Sequence, residues 1–260
     1  MKQKVSDYIA DRIAQWGIRD VFTVTGGGAM HMNDSFGHHP KLHCTYQHHE
    51  QACAMAAEAY ARMDNRMAAV CVTTGPGATN AITGVLGAWM DSIPRLVFSG
   101  QARYATTVPA SGLPLRSMGV QECNIVPVVT PITKYAHMVI HPEDIRYHLE
   151  KALYMAATGR PGPVWLDLPL DVQGAIIETE SLRAYDPAEN PEQRPQEILQ
   201  ETIEKILDKI EESHRPVLSP GNGVRLAGAI EEFHELVDVL GVPVVTGMSS
   251  VDALESDHPY

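Results

Sequence analysis

The stretch Met67–Asn80, "MAAVCVTTGPGATN", decides the fold. Its first half is a short run of small and β-branched apolar residues without clean apolar/polar alternation. That pattern suits a strand covered on both faces. Its second half is a turn and a helix start. Gly75-Pro76-Gly77 makes a rigid turn, and Thr79 and Asn80 fall in the first turn of the helix that follows. A buried strand that ends in glycines and runs into a helix is one βα unit of a parallel sheet.

The same unit recurs on both sides. Strand-like runs lie at Asp20–Gly26, Leu42–Gln47, Met67–Gly75, Arg95–Gln101 and Pro163–Pro169, with helical patterns at Val5–Trp16, Ala29–Phe36, Gln51–Met63, Ala78–Met90 and Glu143–Ala157. Alternating β and α units predict an α/β fold: a doubly wound parallel sheet with helices on both faces and right-handed crossovers. It occupies residues 1–180. The composition then shifts. "ETESLRAYDPAENPEQRP" (Glu178–Pro195) is charged and carries three prolines, which reads as a linker over 181–195. From 196 to 260 a second β/α pattern begins: a helix at Gln196–Glu212, a strand "PVLSPG", a helix near Leu226–Leu240, then "PVVTGM". This is shorter than the ~100–150 residues of a usual domain. It is therefore expected to be the incomplete start of a central α/β domain, and the chain a fragment of a longer protein.

Composition bounds the function. The 260 residues carry a formal net charge of −12, which argues against a nucleic-acid-binding surface. No run approaches the ~18 apolar residues that span a bilayer, so no membrane partner is expected. "MKQKVSDYIADRIAQWG" carries acids and lacks the apolar core of a signal peptide. Cys44, Cys53, Cys71 and Cys123 show no CxxC spacing and read as reduced, mostly buried small hydrophobes. Together these place the protein in the cytoplasm. His38, His39, His43, His48 and His49 lack a zinc spacing such as HExxH, so no metal ligand is assigned on this chain. The acidic run in Glu197–Glu212 reads as the solvated face of an amphipathic helix.

The chemistry-bearing residues sit where strands end. Ligands of open α/β sheets bind beyond the carboxyl ends of the strands. Three such ends are "TVTGGGAM", "TTGPGATN" and "SGQ". Each glycine cluster alone reads as a tight βα turn. Glu50 adds to them. A carboxylate at a helix N-terminus is ordinarily a cap or dipole partner. Here the helix continues with Ala52, Met55, Ala56, Ala59, Tyr60 and Met63 at the spacing of a packed face. Its other alanines narrow it further, so something large packs close, a second subunit being the natural occupant.

The ordered segments "VFTVTGGG", "HHEQACAMAAEAYAR", "TTGPGATNAITGVLGAWMDSIPRLVFSGQ", "GVQECNIVPVVTPITKYA" and "TGRPGPVWLDLPLDVQ" resemble the acetolactate synthase-type thiamine diphosphate enzymes. The resemblance covers the pyrimidine-binding domain almost end to end, to about residue 180, and continues more weakly into the start of the family's central domain. It implies that Glu50 hydrogen-bonds a ring nitrogen of the cofactor's aminopyrimidine and favours the imino tautomer that takes the thiazolium proton. Thr73, Gly75 and Asn80 would lie beside the pyrimidine. Gly26 and Gly27 would lie near the reacting carbon, and Gln121 at the active-site edge. Lys134 and Gln101 also fall on family positions, where a solvent-facing lysine and a strand-end hydrogen bond serve as well.

The reaction so implied is decarboxylation of a 2-keto acid such as pyruvate and transfer of the activated aldehyde to an acceptor carbonyl. Alternatives are a thiamine-dependent hydrolase or lyase, or a non-catalytic assembly subunit. The family binds Mg²⁺ through a "GDG…N" motif absent here, so Mg²⁺ ligands are expected in a further C-terminal domain, and this chain alone should not turn over. FAD contacts at "SPGNGVR" (Ser219–Arg225) and "TGMSS" (Thr246–Ser250) compete with plain βα turns, the preferred reading. The implied partner is a second copy of the chain, completing the site at a dimer interface in a homodimer or homotetramer. Three departures touch the substrate side: Val24-Thr25 where the family has Tyr-Pro, Val120 where it has phenylalanine, and Leu170 where it has the "PKDVQ" lysine.

Overall fold

The computed structural model describes residues 1–191 and 198–260. The chain forms two compact units, Met1–Glu192 and Gln193–Tyr260. The first begins with β1 (Lys2–Lys4), α1 (Val5–Trp16), β2 (Asp20–Thr23), α2 (Met30–His38), β3 (His43–Tyr46) and α3 (Glu50–Asp64). It continues with β4 (Ala69–Val72), α4 (Pro76–Asn80), α5 (Ile82–Met90), β5 (Arg95–Gln101), α6 (Val108–Ser111) and α7 (Val126–Val129). It closes with β6 (Tyr135–Met138), α8 (Ile145–Ala157), β7 (Pro163–Pro169), α9 (Leu170–Gly174) and β8 (Ile176–Glu178).

Six strands form one sheet in the order β3-β2-β4-β5-β7-β6, every pair parallel. The chain leaves β2 for β3 on one side and returns to β4 on the other. The order therefore reverses between β2 and β4, and a crevice opens at their carboxyl ends. β1 and β8 form a separate antiparallel pair with Lys2 opposite Glu178.

The lack of clean alternation in the strands has a simple cause. β4 is buried at all four positions. Ala69 and Cys71 join a core with Ile9, Ile13, Met32, Phe36 and Leu149, on the α1, α2 and α8 side. Val70 and Val72 join a second core with Ala54, Ala57, Ala81 and Val85, on the α3 and α5 side. Side chains still alternate, but both faces are dry. The expected doubly wound sheet with helices on both faces is the observed one.

Several expected bounds shift. The helix expected at Ala78–Met90 is two helices that meet at Ala81, and Pro76 opens the first, a position where its missing N–H is harmless. The segment 181–191, expected as linker, packs on the first unit. Leu182 and Tyr185 are buried, the Tyr185 N–H donates to Glu150 Oε2 (3.0 Å), and Tyr147 Oη donates to Glu189 Oε2 (2.6 Å). Two apolar residues among the charges suffice to dock it. The rest of that linker, 192–195, and the expected start of the next helix, 196–197, lie outside the described residues.

In the second unit, α10 (Gln200–Glu212), α11 (Gly223–Leu226) and α12 (Ile230–Leu240) accompany a parallel bridge between Leu218 and Val244. Phe233, Val237 and Ala253 form its small core, with Leu218 and Val244 against it. The two runs expected as strands, "PVLSPG" and "PVVTGM", meet at that bridge.

Candidate functional site

The site grows from the turn that follows β4. Gly75 has φ +55°, the left-handed region that favours glycine, and a Cβ there would lie 1.9 Å from the Gln121 carbonyl oxygen. Gln121 itself holds φ +56°, uncommon for a residue with a side chain. The two backbones are thus pressed together at the crevice. Gly26 meets the same turn from β2: a Cβ on Gly26 would fall 2.5 Å from Thr73 Cβ, and the Gly28 N–H donates to Thr73 Oγ1 (3.1 Å). Gly26, Gly27, Thr73 and Gln121 line one cavity of about 460 Å³, with Gln101, Val120 and Leu170 in the same wall. That volume lies within the usual range for small-molecule sites.

Glu50 and Asn80 form the second part of the site and do not line that cavity. Glu50 is the first residue of α3. The cap of α3 is the residue before it: His49 Nδ1 accepts the Gln51 N–H (3.2 Å). Glu50 is therefore released from capping. Asn80 Nδ2 donates to Glu50 Oε2 (2.6 Å), and Oε1 accepts no hydrogen bond from any described residue. A Cβ on Gly77 would sit 3.4 Å from Oε1 and 2.7 Å from Thr73 Cγ2. Gly77 thus keeps open the space between the carboxylate and the Thr73 turn. Glu50 is half-buried at the N-terminus of one helix, with Asn80 from a neighbouring short helix fixing one oxygen and the other without a hydrogen bond among the described residues.

Behind the cavity lies a polar network. Trp165 Nε1 donates to Ser99 Oγ (2.8 Å), Ser99 Oγ to Asp167 Oδ1 (2.6 Å), and Gln101 Nε2 to Asp167 Oδ2 (3.1 Å) and to the Cys123 carbonyl (2.7 Å). Asp167 is fully buried, and desolvation pushes its carboxyl up to about 7 against the pull of these hydrogen bonds. Gln101 therefore ties the end of β5 to the segment carrying Gln121. Glu122 holds that segment from within: its two oxygens accept the Val108 N–H (2.9 Å) and the Met118 N–H (3.0 Å).

Other expected positions resolve differently. Lys134 precedes β6, at the amino edge of the sheet and opposite the crevice, and its Nζ donates to the Thr158 carbonyl (2.5 Å). Of the three departures, Val120 and Leu170 line the cavity, whereas Val24 packs toward the second core. The histidines spread over separate partners, His39 facing Asp11 at 3.1 Å and His43 facing Asp20 at 3.2 Å. Among the described residues no group of three or more His, Cys, Asp or Glu is placed to hold a metal ion. Burial drives the Cys53 and Cys71 thiols up to about 12, so neither is a thiolate at neutral pH. No helix among the described residues is long and apolar enough to cross a membrane.

Sequence reasoning placed His48 or His49 beside Glu50 but not the capping role of His49, and it did not single out Thr74, Gly77 or Glu122. The signal for Gly77 was present in the Gly-Pro-Gly turn. Those for the His49 cap and Glu122 were not, because an imidazole cap and a carboxylate bridging two loop N–H groups have no distinctive spacing.

Comparison with known proteins bears on this geometry. Residues 3–128 match the thiamine pyrophosphate enzyme, N-terminal TPP binding domain, and residues 203–260 match the central domain of the same enzymes. The chain is 34% identical over 264 residues to acetolactate synthase 2, chloroplastic, of Zea mays, covering 99% of this chain and 39% of that protein. It is 32% identical to the acetolactate synthase large subunit of Lactococcus lactis subsp. lactis (97% of this chain, 42% of that one). Against acetolactate synthase isozyme 3 large subunit of Escherichia coli it is 32% identical (97% and 43%). The chain spans about two-fifths of the length of these curated relatives. The chain thus carries the N-terminal and central domains of thiamine pyrophosphate enzymes in their expected order, and is similar to acetolactate synthases along nearly all its length.

Proposed function

We propose that the chain forms the pyrimidine-binding half of a thiamine diphosphate-dependent carboligase. The enzyme decarboxylates a 2-keto acid and joins the remaining acyl unit to an acceptor carbonyl. Overall, the donor's C–C bond to its carboxylate breaks, CO₂ leaves, a new bond forms to the acceptor's carbonyl carbon, and one proton is taken up at the acceptor oxygen. Thiamine diphosphate, when bound, supplies the carbon that adds to the donor and stores the electron pair released with CO₂. The observation that carries this reading is Glu50, with one oxygen fixed by Asn80, the other unpaired among described residues, and Gly77 leaving space beside it.

The chain's own residues fit the pyrimidine half of that cofactor. Glu50 Oε1 would exchange a hydrogen bond with a ring nitrogen and control its proton. Gly75 and Gly77 would let the ring lie against the backbone, with Thr73 and Asn80 beside it. Gly26 and Gly27 would border the reacting carbon, and Gln121 the mouth of the cavity. Mg²⁺ and the diphosphate would be held by residues of another domain, and the site would be completed by a second copy of the chain. The exposed Met55, Met63, Leu86 and Met90 on α3 and α5 support that partner.

The test is a turnover assay of the full-length enzyme that contains this chain, with pyruvate, thiamine diphosphate and Mg²⁺, following CO₂ and identifying the product by mass spectrometry. CO₂ release with a carbon–carbon coupled product is expected. An absence of CO₂ from pyruvate and from every other 2-keto acid tried would overturn the reading.

A further inference from the structure

Arg103 is the one ionisable side chain among the residues that line the 460 Å³ cavity. It lies two residues beyond β5, and its backbone is held on both sides. Gln101 is anchored to Asp167 and the Cys123 carbonyl, the Tyr104 N–H donates to Asp171 Oδ1 (3.0 Å), and the Arg103 carbonyl accepts from the Thr106 N–H and Oγ1. The guanidinium, by contrast, has no hydrogen bond or ion pair with any described residue.

Acids outnumber bases 32 to 20, and Arg12, Arg62, Arg95, Arg146, Arg183 and Arg225 each face a carboxylate. Arg103 instead shares its cavity with apolar Met30, Val120 and Leu170. A guanidinium offers a planar fork of donors matched to carboxylate and phosphate.

The chemistry tells which end of which substrate it suits, given the function proposed above. The donor's carboxylate loses its charge as CO₂ leaves. A cation holding it would stabilise the ground state more than the transition state and slow the step. An anionic group on the acceptor keeps its charge from binding to product, so holding it orients the carbonyl without opposing bond formation. We infer that Arg103 is an anion subsite that selects carbonyl acceptors bearing a carboxylate or a phosphate, and so sets acceptor specificity.

The test uses matched acceptors at fixed pyruvate, thiamine diphosphate and Mg²⁺: 2-ketobutyrate against propionaldehyde, and glyceraldehyde 3-phosphate against glyceraldehyde. Wild type, Arg103→Lys and Arg103→Gln are compared. The ratio of kcat/KM for the charged over the uncharged acceptor falls about tenfold or more in Arg103→Gln, equivalent to about 1.4 kcal/mol, with Arg103→Lys between. The pair with the larger fall identifies the anion. Ratios unchanged in both pairs overturn the subsite. If the wild type decarboxylates no 2-keto acid, the functional reading fails separately. The subsite is then judged by ligand-observed NMR with pyruvate and with inorganic phosphate: binding lost in a folded Arg103→Gln upholds it, and equal binding by both proteins, or none by the wild type, overturns it.

Discussion

The two faces of the sheet are built from different material. The α1, α2 and α8 side packs large chains, Ile9, Ile13, Met32, Phe36 and Phe98, with the Phe36 and Phe98 rings 5.7 Å apart. The α3 and α5 side packs small ones: Ala54, Ala57, Ala78 and Ala81, and a Cβ on Gly84 would meet Ala54 Cβ at 2.6 Å. Small residues draw α3 and α5 close together and turn the large side chains outward, so Met63 is 79% exposed and Met90 67%. The first face is finished within the chain. The second leaves large apolar side chains exposed, and Glu50 sits at its edge. The alanine-rich helix and the acid at its first turn therefore belong to one design.

That contrast can be broken by substitution. Phe98→Ala, on the closed face, is expected to lower unfolding free energy by ~3–5 kcal/mol in urea; a loss below ~1 kcal/mol would mean the face is not closed. Asp167, between the faces, gives the next effect. Its carboxyl is raised from its ordinary value of 3.8 to about 7 when folded, so the folded state holds a proton the unfolded state has lost. Stability is then full below about pH 4 and declines by a few kcal/mol toward pH 7. Asp167→Asn should remove that slope, and a slope that persists in the variant would assign it to another group.

In the full-length enzyme, Glu50→Gln is expected to cost ~100-fold or more in turnover, close to 2.7 kcal/mol, while urea unfolding of the folded unit changes far less. Wild-type activity in this variant would contradict its role. Gly84→Ala should destabilise by ~1–3 kcal/mol through overpacking against Ala54; a neutral result would show that α3 and α5 can part. On the open face, Leu86→Ser and Met90→Ser should each alter single-chain stability by less than ~0.5 kcal/mol. Sedimentation should show weakened self-association in both. Unchanged association would assign the apolar face to another partner.

Much of this was legible in the sequence for a physical reason. β5 and β7 have the bounds read from their apolar runs, and α1 follows its spacing from Val5 to Trp16. Such elements bury most of their residues, so composition reports them. β6, "YAHM", was not legible: it is a half-buried edge strand with a histidine at its centre. β1 and β8 are three residues each, and pairing between positions so far apart leaves no local trace. In the site, Glu50 and the Gly-Pro-Gly turn were readable because their residue types are constrained. The left-handed backbone of Gln121 was not, since its cause is the Gly75 backbone pressed against it. The docking of 181–191 was hidden by its charge, since only Leu182 and Tyr185 carry it.

The short β1–β8 pair has a consequence for how the protein is made. Lys2, Gln3 and Lys4 are synthesised long before their partners Glu178, Ile177 and Ile176. At ~5–20 residues per second of synthesis, they wait on the order of 10–35 s before the chain that completes them exists. Every parallel strand of the sheet is made in that interval, so this pair forms only after those strands are available. Assembly of this unit is a race in which its start must stay out of competing contacts until its end arrives.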